Sequence, residues 1–449
     1  MPARAPFRLT RAPAVSYSPR LKHPPAPLGI AVSHSPPLPY CCPDETQGIS
    51  RAVHLGRLAS FYPACRACPH AGDTLTLSPR NVRQLASVQR RASPASLFHE
   101  EGIAGSFLNE LGPAEARHAA AALAMLLTRD AQSDSAPEVV LGCDGRSAAA
   151  EIGAAVSDAL RQAGCVVVDA GFTTSGSVAA AIGRLQCGGG VFIGRGDGGP
   201  QHIGLSFFGS QAIPFSAGGR LDALERLWHA GVERLSRRSG SVRRYRADAT
   251  LLADLTPYFH ALRPLRLVLD TTSLPLRQQL ARLAQPVSLE ILPCGQAGAR
   301  VPGATDASSI LANRVRQTGA HFGLWIDGDG ERCRLIDEQG SAVSSERLTI
   351  LLLRHFQEQS ADATLVVEEP TISTIRAALG SNASLHAAPA TREGVARAMQ
   401  TCGAVAAGGI SDRCWFAAPV PVACALRTVA HLLTIFSRSD RPVSEVLTT

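Results

Sequence analysis

Apolar positions along this chain follow two rhythms, and the alternation between them is the main signal. Short runs of buried character read as strands at 138–142, 165–170 and 190–193. Between them, stretches with apolar residues three and four apart read as helices at 114–127, 148–163 and 177–185. The same alternation returns with strands at 265–270, 288–292 and 322–326 and helices at 276–283 and 308–318. A third round places strands at 364–367 and 404–407 and helices at 371–379 and 422–436. Strand–helix alternation of this kind predicts α/β layers. Three tandem α/β/α domains with mixed sheets are expected, over 98–240, 248–343 and 344–449. Ahead of them, 1–40 is a disordered Pro-rich leader without periodicity, and 41–95 is a small separate module with one short helix at 49–62.

Composition narrows the picture. The chain has 449 residues, 45% hydrophobic and 18% charged, which suits packed cores, but only 5% aromatic. Those cores must be built from Leu, Val, Ile and Ala. No run of about 18 apolar residues is present, so no membrane partner is expected. Lys and Arg total 44, yet Lys22 in the leader is the one lysine. Schiff-base chemistry and a phosphate-loop lysine are therefore excluded from the globular part. The net charge of +7 is mild for this length, and the Arg237–Arg246 patch reads as a solvated linker. Nucleic-acid binding calls for a denser basic stripe and is disfavoured. No protein partner is readable. The N-terminal stretch has no apolar signal-peptide core, so the twelve cysteines fit a reducing cytoplasm as free thiols.

Two patterns carry metal chemistry. Cys65-x-x-Cys68 puts two thiols on one turn, and a second pair from Cys41, Cys42 or His70, foremost Cys41 with His70, could complete a tetrahedral Zn²⁺ site; unliganded cysteines are the competing reading. Trp325-Ile326-Asp327-Gly328-Asp329-Gly330-Glu331-Arg332 runs an apolar strand into three alternating acids. The glycines let such a loop curl, so that Asp327, Asp329 and Glu331 could converge as oxygen ligands for Mg²⁺. Arg332 would then contact a phosphate bridging to the metal. A plain polar turn after a strand is the competing reading.

The order of the motifs is itself informative. Glu101-Gly102-Ile103-Ala104-Gly105 with Glu110-Leu111-Gly112-Pro113, Val139 to Ser147 with Asp144 and Arg146, Ala170 to Thr174, Asp327 to Arg332, Gly408-Gly409-Ile410-Ser411, and Arg441 to Leu447 follow one another along the chain. This series resembles the α-D-phosphohexomutase family, the phosphoglucomutases and phosphomannomutases, over roughly 100–449. The resemblance implies a phosphoserine that shuttles a phosphoryl group between hexose hydroxyls, Mg²⁺ at Asp327, Asp329 and Glu331, and a hexose phosphate held near Arg146, Gly408, Gly409 and Ser411. It also implies a fourth, phosphate-gripping domain, for which the roughly 350 residues after 98 leave no room, so an open trough is expected.

Against that pattern several positions differ. Gly196 falls on the phosphoserine and Asp197 on the following His. Ser206 stands for Lys, on a strand, Ala104 and Cys143 for Arg, Ile410 for the sugar-binding Glu, and Glu331 for the last Asp. Glycine has no nucleophile. A retained core with an altered site predicts a catalytically impaired member acting in ligand binding or regulation of carbohydrate metabolism. The alternative is a divergent active phosphosugar mutase or phosphatase using Asp197 or water with the remaining acids, Asp327, Asp329 and Glu331, and Arg332. A third is an interaction protein working through the cysteine module.

Overall fold

The structure is a computed structural model that describes residues 40–42, 46–60, 62–66, 68–88, 97–131, 136–194, 202–231, 236, 238–295, 307–417 and 419–447. Residues 1–39, Gly196 and Asp197 lie outside the described residues. Three sheets carry the body of the protein. The first has seven strands in the spatial order Phe98–His99, Gly102–Ser106, His202–Phe208, Gly189–Gly194, Glu138–Cys143, Val166–Phe172, Val242–Arg244. The last four run parallel, and His202–Phe208 returns antiparallel on both its neighbours.

Period-two side-chain alternation explains why this sheet is covered on both faces. Val139, Leu141, Val191 and Ile193 join the core beneath helices Pro113–Asp130 and Ala149–Gln162. Val140, Val168 and Phe192 point the other way, into a core shared with helix Ser175–Leu185. Pro113 opens its helix where a missing N–H costs nothing, and Glu115 Oε2 accepts from the Gly112 N–H at 2.9 Å.

The second sheet orders Leu289–Pro293, Leu265–Thr271, Phe322–Ile326 and Cys333–Asp337, the last antiparallel. The third orders Ser384–Ala388, Thr364–Glu368 and Ala406–Gly408 in parallel, then Trp415–Phe416 and Val422–Ala423 antiparallel. Both are flanked by helices, so the expected tandem α/β/α architecture is present. One apolar core runs through all three blocks, from Val140 and Phe192 through Leu267, Leu276 and Leu324 to Leu426 and Leu433. Among the described residues no helix is long and apolar enough to cross a membrane.

Some elements escape the apolar pattern. The arginine-rich stretch read as a solvated linker contributes the edge strand Val242–Arg244, and Arg243 Nη2 pairs with Glu138 at 2.8 Å. Edge strands tolerate charge because one side faces water. Helices Arg220–Ala230, Ser345–Gln359 and Arg392–Cys402 were not anticipated, because charged residues interrupt their apolar stripes. In the small module, helix Arg51–Ala59 is shorter than the expected 49–62, with Ser50 accepting from the Val53 N–H at its start.

Candidate active site

The predicted motifs meet where parallel strands end at their carboxyl edges, the place where open α/β sheets bind ligands. Strand Phe322–Ile326 leads into the acidic loop and the chain returns along Cys333–Asp337. The turn is closed by its own backbone: Glu331 N–H donates to Asp327 Oδ1 at 2.8 Å, and Gly330 N–H to the Asp327 carbonyl at 3.3 Å. Gly330 has φ of +76°, a conformation that glycine adopts without strain. The Ala425 N–H, at the start of helix Ala425–Phe436, donates to the Gly330 carbonyl at 2.9 Å. The Ser175 N–H donates to the Asp329 carbonyl at 3.1 Å. The loop is thus pinned from the first and third blocks at once.

The first block supplies Asp144 and Arg146 at the end of Glu138–Cys143. Arg146 donates to both oxygens of Asp144, through its backbone N–H at 3.1 Å and Nε at 2.5 Å, and to the His202 carbonyl at 2.9 Å. Its guanidinium backs the acidic loop so closely that a Cβ on Gly328 would sit 3.0 Å from Nη2. Asp329 faces the end of Gly189–Gly194, where a Cβ on Gly194 would lie 2.9 Å from Oδ1.

Glu331, only 4% exposed, is fully engaged by protein groups. Its Oε1 accepts from Ser175 Oγ at 2.6 Å and from Arg392 Nη2, and its Oε2 accepts from Arg413 Nε at 3.1 Å. Arg413 Nη2 reaches on to Glu101 Oε2 at 2.6 Å, and Arg332 Nη2 lies 3.3 Å from Glu101 Oε1. Burial opposes ionisation of Glu331 and Glu101, but the arginines win and hold both carboxyls below their usual range. Asp327 goes the other way: burial, then the charge of Glu331, pushes it up to about 6.

The glycine loop of the third block is also turned inward. Glu368, 1% exposed at the end of Thr364–Glu368, accepts from the Ile410 N–H at 2.7 Å, the Ser411 N–H at 3.0 Å and the Ser411 hydroxyl. A Cβ on Gly409 would lie 2.5 Å from the Glu368 Cβ, and one on Gly408 would lie 2.7 Å from Thr349 Oγ1. These two glycines are required by close approach. Ile410 points outward, 48% exposed.

Among the described residues no three His, Cys, Asp or Glu side chains form a metal-binding set. This bears on both metal readings. The Zn²⁺ set Cys41, Cys65, Cys68 and His70 is not supported. Cys65 packs against Leu58 in the small core of the module, and His70 lies edge-on to Tyr40, with ring centroids 5.3 Å apart. Cys42 Sγ instead accepts from Arg57 Nη1 at 2.9 Å. At the acidic loop, both Glu331 oxygens are taken by Ser175, Arg392 and Arg413 and Asp327 Oδ1 is taken by the turn, so the set of three acids does not fit a Mg²⁺ ion as it stands.

Glu101, Ser175, Glu368, Arg392 and Arg413 escaped the sequence reading. Arg413 carried a signal: one charge leading into the buried Cys414-Trp415-Phe416 run. Glu368 ends a strand as Asp327 nearly does, but it stands alone, so spacing offered nothing.

Residues 95–225 match the sequence model for phosphoglucomutase/phosphomannomutase, alpha/beta/alpha domain I. Phosphoglucosamine mutase of Pediococcus pentosaceus is 25% identical over 303 residues, covering 65% of this chain and 65% of the relative. That of Renibacterium salmoninarum is 28% identical over 269 residues, covering 57% and 58%. The chain thus aligns with less than two thirds of the length of these curated relatives. A solved phosphoglucomutase/phosphomannomutase family protein from Burkholderia thailandensis shares the fold, with a TM-score of 0.68 at 19% identity over 79% of both chains.

Proposed function

Since the chain is a member of the α-D-phosphohexomutase family, we propose that it is a catalytically impaired phosphosugar-mutase relative of carbohydrate metabolism, acting in the cytoplasm by binding a hexose phosphate rather than by isomerising it. The observation that carries this reading is Gly196, which falls on the phosphoserine of the family pattern and offers no atom to hold a phosphoryl group. Two further observations support it. Glu331 is consumed by Ser175, Arg392 and Arg413, and the loop amides and hydroxyl of Ile410 and Ser411 are consumed by Glu368. A sugar hydroxyl would have to displace Glu368 before Gly408, Gly409 and Ser411 could serve it. Recognition then falls mainly to Arg332, whose side chain is 30% exposed, and to Arg146 beside Gly328, as contacts for the phosphate.

The test is direct. Purified protein is incubated with glucose, mannose and glucosamine phosphates, with and without Mg²⁺ and a hexose bisphosphate primer. Product formation, phosphoprotein mass and calorimetric binding are followed together. Binding that weakens in Arg332→Ala, with no isomerisation and no phosphorylated residue, is expected. Steady turnover would overturn the reading. The alternative, a divergent mutase or phosphatase using Asp197, is favoured by one observation, the Asp329 carboxylate placed beside Gly194. It requires an aspartyl phosphate on Asp197.

A further inference from the structure

The acidic loop belongs to a pattern that the family fills with Mg²⁺, yet Glu331, the last of its acids, is already neutralised by the chain itself. Glu331 and Glu101 face Arg332, Arg392 and Arg413, three positive groups on two acids, beside Asp327 and Asp329 of the same loop. Asp144 is matched separately by Arg146. The side chains of Arg392 and Arg413 are 3% and 6% exposed, so these charges act through protein rather than through water. We infer that the guanidinium groups of Arg392 and Arg413 stand in for a divalent cation at the 327–332 loop, so that the loop keeps its shape without metal and the native chain binds none there.

Three lines of physical reasoning converge. A Mg²⁺ ion wants an octahedron of oxygens at roughly 2.0–2.1 Å, and Glu331 would have to abandon both arginines and Ser175 to join one. A dication added beside three guanidiniums would leave an excess of positive charge in a buried place, which is costly. The planar, always-charged guanidinium also does what a metal does in such a turn: it bridges acids from different elements. Arg413 bridges Glu331 of the second block to Glu101 of the first, through Nε at 3.1 Å and Nη2 at 2.6 Å. Arg392 adds a second contact from the N-terminal end of Arg392–Cys402, where Thr391 accepts from the Gly394 N–H at 3.0 Å and fixes the start of the helix. Both cations come from the third block, so the substitution also ties the three blocks together.

Mn²⁺ is the probe, read by electron paramagnetic resonance, beside thermal melting of the full chain in chelator and in millimolar MgCl₂. For the native chain the expected result is no stoichiometric Mn²⁺ and one melting temperature in both buffers. One tightly bound Mn²⁺ per chain, lost in Asp327→Asn, would overturn the inference. In Arg413→Ala, the vacated charge should be replaceable. Mn²⁺ binding appears and MgCl₂ raises the melting temperature, and adding Glu331→Gln removes that gain. A folded Arg413→Ala protein indifferent to both ions overturns the substitution. If Arg413→Ala does not fold, Glu331→Gln with Arg413→Ala is compared with it: recovery of a folded protein supports the charge balance, and no recovery counts against it.

Discussion

Among the described residues, the junction acids and arginines and a pair of buried histidines solve the same problem in opposite ways. At the block junction, Glu101, Glu331, Arg392 and Arg413 are all charged, each held by a partner from another block. In the third block, His355 and His431, both 2% exposed, face each other with ring centroids 5.4 Å apart, among Phe356 and Phe416 of that block and Tyr258 of the second. Burial pushes His355 down to about 4 and His431 down to about 3, so both stay neutral. The difference shows what a buried ionisable group does with and without a partner of opposite sign. Brought together from different blocks, the acids and arginines keep their charges, whereas the imidazoles, packed among rings, give up their protons.

The strongest way to break the junction is to remove one charge and leave the others. Arg413→Ala strands Glu331 and part of Glu101, and should cost about 3–5 kcal/mol in metal-free denaturant unfolding. Acid should break the histidine cluster by a different route. The unfolded imidazoles take up protons near pH 6.5 while the folded ones resist to about 4 and about 3, so the unfolded state binds more protons in that window. Stability therefore falls as pH drops below about 6.5 and the loss levels off once the folded pair is itself protonated, on the order of 2–3 kcal/mol by about pH 5.5. His431→Phe should remove roughly half of that slope while leaving stability near neutrality largely in place.

The comparison can be sharpened at a site where shape rather than charge decides. Gly409→Ala would force a Cβ against Glu368, and should cost about 1–3 kcal/mol, read as a lowered melting temperature. The smallest effect belongs to the surface. Arg438 and Glu358 are paired at 2.7 Å but half exposed, and Arg438→Ala should change stability by less than about 1 kcal/mol. If that loss rivalled Arg413→Ala, burial would not be what distinguishes the clusters.

Much of the fold was legible because parallel strands covered on both faces read as continuous apolar runs. Those of Glu138–Cys143, Phe322–Ile326 and Thr364–Glu368 needed no other clue. The antiparallel strand Cys333–Asp337 was not, since Arg334 and Asp337 interrupt it while its partner strand decides its place. At the site, the loops that converge were legible by motif: Asp144 and Arg146, Asp327 to Arg332, and Gly408 to Ser411. What neutralises them was not. Glu101 and Arg413 are 312 positions apart, and nothing local in either neighbourhood says that they meet. Glu368 was equally silent, because a lone acid at a strand end is ordinary until the loop that folds over it is seen.

The helix Ala425–Phe436 has one more consequence. Eleven of its twelve residues are buried, and it supplies part of the apolar core that also contains Val140 and Phe192 of the first sheet. A ribosome therefore releases the first sheet long before the last helix of the core that the sheet shares. Ser175–Leu185 covers Val140 and Phe192 early, but the rest of the shared core stays incomplete until Ala425–Phe436 arrives, and the nascent chain waits with an adhesive surface. Completion of the fold is a late, long-range event, and this protein should lean on holding chaperones more heavily than one whose blocks each close by themselves.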